Sequence, residues 1–175
     1  MSTFEQVRAL IVDPERYSQQ LLRTLLRSMR VEKVHQVKTP EDGLEIMRQL
    51  HVHVVFYDEI AGNIGLFLHR LRRDLRVVNI TVPVLYICHD ARQAALRRVQ
   101  SAGASAIIAK PVSLATIESK LRSLLLAPRA FVTTNSYIGS DRRAPKRDMP
   151  AYVTERRASQ KGKSFVASPT DPRGR

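Results

Sequence analysis

Short apolar runs alternate along the chain with longer segments whose apolar residues recur at helical spacing. A run of β-branched and aromatic residues bounded by polar residues is typical of a buried strand, whereas apolar residues three and four positions apart predict an amphipathic helix. The predicted strands cover residues 7–12, 33–38, 53–58, 83–88 and 105–109. The predicted helices cover residues 14–30, 40–50, 64–73, 91–102 and 114–125.

Regular alternation of strands and helices favours one architecture. Strands that alternate with helices form a parallel sheet with helices on both faces, joined by right-handed crossovers. We therefore expect an α/β fold with a doubly wound, five-stranded parallel sheet whose first strand lies near the middle.

Residues at the predicted helix ends support these boundaries. Pro14 suits the first turn of the first helix, where its missing N–H costs nothing. Thr39 followed by Pro40 predicts the start of the second helix, Ser113 caps the last one, and Gly103 closes the fourth.

Side chains that could take part in chemistry stand at the points where the predicted strands end. They are Asp13 after the first strand, Asp58 at the end of the third, Cys88 and His89 at the end of the fourth, and Lys110 after the fifth. In an open parallel sheet, ligands bind just beyond the carboxyl ends of the strands. Carboxylates there suit Mg²⁺, and a lysine opposite them suits a phosphoryl group or a structural pairing with Asp58. The simpler interpretation is that Asp58 only caps a helix or starts a turn.

Six segments carry a family resemblance. They are Leu10-Ile11-Val12-Asp13, Glu41-Asp42-Gly43-Leu44-Glu45, Val54-Val55-Phe56-Tyr57-Asp58, Pro83-Val84-Leu85-Tyr86-Ile87, Ala102-Gly103-Ala104-Ser105 and Lys110-Pro111. Their order and spacing resemble the receiver domains of bacterial two-component response regulators, over roughly residues 7–126. The resemblance implies a flavodoxin-like receiver fold with strand order 2-1-3-4-5. It also implies phosphorelay signal transduction. The residues themselves favour a chain that is not an enzyme, because no nucleophile and base stand out as a pair.

The resemblance also assigns roles to residues and partners. It implies that Asp58 accepts a phosphoryl group from a histidine kinase or phosphotransfer protein, and that Asp13 and Asp58 hold Mg²⁺. Lys110 and the residue at the position of Cys88 would contact the phosphoryl group. A downstream protein would bind the face made by the fourth helix, the fifth strand and the last helix, and a homodimer through that face is an option.

The sequence departs from the family pattern at four places. Pro14 replaces one acidic metal ligand, Cys88 replaces a Ser or Thr, and Ile107 replaces an aromatic residue. The usual Met-Pro step after the acceptor is absent, and Glu59 directly follows Asp58. The expected consequences are weaker Mg²⁺ binding and a damaged response to phosphorylation, because a ligand shifts a conformational equilibrium only through contacts that differ between the states.

Composition changes the picture at the carboxyl end. The 175 residues carry a net charge of +13, and residues 128–175 contain five of the nine prolines. We therefore predict a receiver-like domain over residues 1–127 and a basic extension over residues 128–175 that is disordered or docks as a peptide. Phe131, Val132, Tyr137 and Ile138 are the residues that could dock.

Basic residues in this extension support an alternative function. Arg142, Arg143 and Arg147 could bind an anionic ligand such as a cyclic dinucleotide, or an acidic partner, in a pseudo-receiver that needs no phosphorylation. Few aromatic residues and no helix-turn-helix pattern argue against nucleic acid.

Two residue types have simple structural interpretations. Cys88, the single cysteine, allows no intrachain disulfide and so favours a reducing cytoplasm, and it is better explained as a small buried residue than as a redox sensor. No apolar stretch is long enough to span a membrane. Four arginines near the end of the third helix are interpreted as cations that offset the helix dipole. They are Arg70, Arg72, Arg73 and Arg76.

Overall fold

Strands and helices alternate along the chain in the computed structural model, which describes residues 4–89, 92–126, 131–134 and 138–140. The strands are β1 (Arg8–Val12), β2 (Lys33–Val37), β3 (Val54–Asp58), β4 (Val84–Cys88), β5 (Ala106–Ala109), β6 (Phe131–Thr133) and β7 (Ile138–Ser140). The helices are α1 (Arg16–Ser28), α2 (Pro40–Gln49), α3 (Ile64–Arg73), α4 (Gln93–Ala102) and α5 (Leu114–Leu125). The predicted start of the fourth helix at residue 91 lies outside the described residues.

The five strands β1 to β5 form one sheet. Its order is β2-β1-β3-β4-β5 and every pair is parallel, which confirms the predicted doubly wound α/β fold and the strand order 2-1-3-4-5. In the register, Asp58 lies opposite Ile87, and Cys88 lies opposite Ala109. The carboxyl ends of neighbouring strands therefore reach the same edge, where the predicted site residues meet.

The sheet divides the core into two layers. Val55 and Tyr57 of β3 pack with residues of α2, α3 and α4, whereas Val54 and Phe56 pack with residues of α1 and α5. All five residues of β3 are at most 1% exposed, because helices cover both faces of a parallel sheet. Burying a side chain such as Phe56 contributes about 1.5–3 kcal/mol, so the strand that presents Asp58 is firmly anchored.

Residues that cap helix ends lie where the sequence predicts them in three of the helices. Thr39 accepts a hydrogen bond from the Asp42 N–H, and Ser113 accepts one from the Thr116 N–H, as the sequence predicts. Gly103 ends α4 with a φ of 104°, a left-handed conformation that favours glycine.

The predicted start of the first helix at Pro14 is wrong by two residues. The Asp13 carboxylate accepts a hydrogen bond from the Glu15 N–H at 2.8 Å and turns the chain there. Helix α1 therefore begins at Arg16, and Pro14 precedes the helix instead of lying in its first turn.

The arginine cluster at the end of α3 has a different role from the predicted one at one position. Arg72 is only 5% exposed, and its guanidinium donates to the carbonyl oxygens of Ile80 and Val82. Dipole compensation needs only an exposed cation, whereas Arg72 ties the loop before β4 to α3. Its guanidinium also lies 5.2 Å from the ring centre of Phe131.

Part of the predicted basic extension has regular structure. Strands β6 and β7 pair antiparallel as a hairpin, within a compact unit that comprises residues 1–142. A second unit comprises residues 143–175, which lie outside the described residues. The domain boundary at residue 127 stays a prediction. No helix in the described part of the chain has both the length and the apolar character needed to cross a membrane.

Candidate functional site

Asp58 and Lys110 form the centre of the site. The Lys110 Nζ lies 2.7 Å from the Asp58 Oδ2, and Asp58 is only 1% exposed. Strand β3 places the carboxylate at the sheet edge, and the Lys110 N–H donates to the Cys88 carbonyl oxygen at 2.8 Å, which fixes the lysine beyond β5. Both predicted residues are therefore brought together as an ion pair between a buried carboxylate and a partly buried ammonium.

The two carboxylate oxygens of Asp58 have different surroundings. Its Oδ1 accepts the Ile60 N–H at 3.1 Å, which is the turn-forming bond expected of the simpler interpretation. Its Oδ2 faces Lys110 without the angles of a directed hydrogen bond, and it has no hydrogen-bond partner among the described residues. Asp58 thus forms a local turn and also keeps one oxygen available for chemistry.

Asp13 supplies the second carboxylate at this edge. It is buried, and its Oδ1 accepts the Glu15 N–H. The buried Gln19 side chain donates to the carbonyl oxygens of Asp13, at 2.6 Å, and Val37, at 2.9 Å. Gln19 therefore holds the end of β1 against the end of β2 and limits the positions that Asp13 can take.

These two carboxylates decide whether Mg²⁺ fits the site. Pro14 carries no ligand atom, and the described residues contain no group of three or more Asp, Glu, His or Cys side chains that could hold a metal ion. Mg²⁺ commonly keeps several waters and binds through only one or two carboxylates together with phosphate oxygens. Asp13 and Asp58 fit that arrangement, and a third protein carboxylate would be needed for a tighter site.

The fourth strand ends with an apolar surface where the family pattern has a hydroxyl. Cys88 is buried at the end of β4, and its thiol is a weak hydrogen-bond donor. Ile107 of β5 is buried too, and it lies opposite Tyr86 of β4 in the strand register. An aromatic ring therefore does stand on this face, but it belongs to β4.

The environment of Tyr86 links it to the site. Burial raises its pKa to about 12, with a further contribution from the nearby carboxylates of Glu59 and Asp58. The ring stacks on Tyr57, with 6.4 Å between the centres. Burial also raises the pKa of Tyr57, whose hydroxyl has no hydrogen-bond partner among the described residues.

The loop after Asp58 makes a contact that the sequence does not predict. Glu59 begins a single 3₁₀ turn, and its Oε1 accepts the backbone N–H of His89 at 2.7 Å. The His89 Nδ1 lies 2.6 Å from the same oxygen. Gly62 then adopts a φ of 127°, a conformation that favours glycine, and lets the chain turn into α3. The sequence feature that could have suggested this contact is position, because Glu59 and His89 each directly follow a predicted strand.

The arginines of the alternative function cannot be placed. Arg142, Arg143 and Arg147 lie outside the described residues.

The contact face predicted for a downstream protein is described. In α4, Leu96 and Val99 are buried, whereas Arg97, Arg98 and Gln100 are exposed. A helix held mainly by two buried side chains has a large surface left for contact.

Comparison with known proteins gives a consistent result. A model of the response regulator receiver domain matches residues 9–122. A two-component response regulator from Clostridium difficile is similar in structure, with a TM-score of 0.62 and 17% sequence identity over 71% of this chain and 100% of that chain. The chemotaxis protein CheY4 of Vibrio cholerae is also similar, with a TM-score of 0.61 and 16% identity over 68% of this chain and 98% of that chain.

One of the similar structures contains a metal ion. It is the receiver domain of a sensor histidine kinase from Pseudomonas aeruginosa, with magnesium coordinated in its active-site cleft. The TM-score is 0.59 and the identity 18%, over 68% of this chain and 97% of that chain. At such identities the structural matches establish the shared fold.

Proposed function

We propose that this chain, which belongs to the family of response regulator receiver domains, accepts a phosphoryl group on Asp58 in phosphorelay signalling. The observation that carries this proposal is the 2.7 Å pair between the Lys110 Nζ and the Asp58 Oδ2, beside Asp13 at the next strand end. A structural cap needs neither the lysine nor the second carboxylate. The chain acts as an acceptor and does not turn over a separate substrate.

The reaction is a transfer between two side chains. A carboxylate oxygen of Asp58 attacks the phosphorus of a phosphohistidine on a histidine kinase or phosphotransfer protein. A P–O bond forms, the P–N bond breaks, and the leaving imidazole nitrogen keeps the electron pair of that bond and takes a proton from water. The Lys110 ammonium stabilises negative charge on the phosphoryl oxygens, because a fixed cation at that position needs no reorganisation.

Mg²⁺ is the cofactor that supports this transfer. Asp13 and Asp58 would hold it, and the similar Pseudomonas receiver domain has magnesium coordinated in its active-site cleft. When bound, the ion neutralises charge between the donor phosphoryl group and the acceptor carboxylate. Pro14 removes one ligand, so we expect labelling to require a higher Mg²⁺ concentration than a site with three carboxylates would.

The output is a protein–protein contact. The face formed by α4, β5 and α5 is the proposed surface, since α4 is held mainly by Leu96 and Val99. Cys88 and Ile107 offer little that a new phosphate could attract, so the change transmitted to this face is small. The arginine-based alternative has no support among the described residues.

The first test measures labelling of the acceptor. Wild-type protein with Mg²⁺ and acetyl phosphate should gain the mass of one phosphoryl group, and Asp58→Asn should gain none. Asp42→Asn, at an exposed aspartate at the start of α2, is the matched control and should label as wild type does. An unlabelled wild-type protein, or labelling that survives Asp58→Asn, would contradict the proposal.

A further inference from the structure

A side-chain bridge joins the two loops that border Asp58. Glu59 directly follows β3 and His89 directly follows β4, and one Glu59 oxygen receives both the backbone N–H of His89, at 2.7 Å, and the His89 Nδ1, at 2.6 Å. The glutamate side chain is 25% exposed and the imidazole 66% exposed. The bridge therefore lies on the outer side of a carboxylate that is itself buried.

The bridge places a second negative charge next to the acceptor. Glu59 and Asp58 are adjacent in sequence, and both carboxylates contribute to raising the pKa of Tyr86. The charge of Lys110 is already directed to Asp58. At the end of β4, the backbone N–H of His89 donates to Glu59, and the thiol of Cys88 beside it is only a weak donor.

An incoming phosphoryl group needs the same surroundings. It brings about two negative charges, and backbone N–H groups at strand ends are good donors to such an anion. The Glu59 carboxylate opposes it in two ways, since it occupies the His89 N–H and repels negative charge. We infer that the Glu59–His89 bridge is a latch that closes the unphosphorylated site, with the Glu59 carboxylate in place of the phosphoryl group.

The latch also supplies a route to the output. Opening it frees His89, which lies between β4 and α4 in the chain. His89 then loses this fixed contact, next to the end of β4, when a phosphoryl group displaces Glu59. This inference rests on the proposed function, because displacement requires that Asp58 accept the group.

Two variants of Glu59 separate its charge from its hydrogen bond. With acetyl phosphate and Mg²⁺, Glu59→Ala should be labelled about tenfold faster than wild type, the size expected when a competing charge-assisted hydrogen bond is removed. Glu59→Gln keeps an acceptor for the His89 N–H without the charge and should be labelled at an intermediate rate. Glu5→Ala, which breaks an exposed ion pair with Arg30 before β1 begins, is the matched control and should match wild type.

A second measurement does not depend on phosphorylation. In the unlabelled protein, the amide of His89 should shift upfield in nitrogen–proton correlation spectra and exchange faster in Glu59→Ala, because it loses its acceptor. An unchanged His89 amide would overturn the latch, and so would equal or slower labelling of Glu59→Ala. Equal labelling of wild type and variant would leave the proposed function standing, whereas no labelling of either would overturn both.

Discussion

Two sides of the sheet edge at which the strands end differ in how many residues of the receiver-domain pattern they retain. The acceptor side, made of Asp13, Asp58 and Lys110, combines two buried carboxylates with a lysine that lies 2.7 Å from one of them. The readout side, made of Cys88 and Ile107, has apolar or weakly polar groups where a hydroxyl and an aromatic ring would respond to a phosphate. Under the proposed function, accepting a phosphoryl group and reporting it rest on different residues, which can be lost separately.

The separation has a physical basis. Phosphoryl transfer needs charge at fixed positions, and the ends of β1, β3 and β5 provide it. A conformational response needs contacts that differ between two states. The Glu59–His89 bridge is such a contact on the border of the two sides, and it depends on neither Cys88 nor Ile107.

The largest expected effect concerns the acceptor side. Lys110→Ala should lower the rate of labelling by acetyl phosphate about a hundredfold, the usual effect of removing one fixed group that stabilises developing negative charge. Lys38→Ala is the control, since Lys38 is an exposed lysine that follows β2 at the same sheet edge. Similar labelling rates for the two variants, measured by intact mass over time, would show that the acceptor side does not work as a unit.

A smaller effect is expected on the readout side. Cys88→Thr adds a hydroxyl at the end of β4, and a hydrogen bond to a charged phosphate should shift the equilibrium of α4 about tenfold. The measurement is the change in α4 amide signals when beryllofluoride and Mg²⁺ are added. Cys88→Val has nearly the shape of threonine without the hydroxyl and should respond as wild type does. If the valine variant responds as strongly as the threonine variant, hydrogen bonding is not what the readout side lacks.

The smallest effect concerns the aromatic ring beside Ile107. The pKa of Tyr86 is raised to about 12 in the folded protein, whereas an unfolded tyrosine ionises near its ordinary value of about 10. The folded state therefore holds more protons between these values, and the free energy of unfolding should fall as pH rises from about 10 to about 12. Chemical denaturation across this range measures the slope.

A variant isolates the contribution of this residue. Tyr86→Phe should reduce the slope, and Tyr17→Phe, at a tyrosine that is 82% exposed, should leave it unchanged. An identical slope in the Tyr86→Phe variant would place the Tyr86 hydroxyl in water and remove it from the border of the site.

The sheet and its site residues could be predicted because burial leaves a strong pattern. A strand covered on both faces, such as β3, must be apolar throughout, so Asp58 stands out at its end. Parallel strands end at one edge, which is why Asp13 and Lys110 could be assigned to the same place without coordinates. Capping residues such as Thr39 and Ser113 act locally and were equally visible.

Contacts between loops could not be predicted in this way. The pairing of Glu59 with His89 depends on how two loops turn after their strands, and neither residue type indicates a partner 30 positions away. Arg72 matches the dipole pattern of its neighbours, and only the position of the Ile80 carbonyl shows that it is buried. Such contacts follow from tertiary geometry, which periodicity does not encode.

The central claim is that Asp58 is the phosphoryl acceptor, and chemical trapping tests it most directly. Borohydride reduces an acyl phosphate on an aspartate to homoserine, which a peptide mass map locates within the chain. After treatment with acetyl phosphate and Mg²⁺, the account predicts homoserine at position 58, in an amount that falls when Mg²⁺ is chelated. Homoserine at another aspartate such as Asp13, or at none, would contradict it.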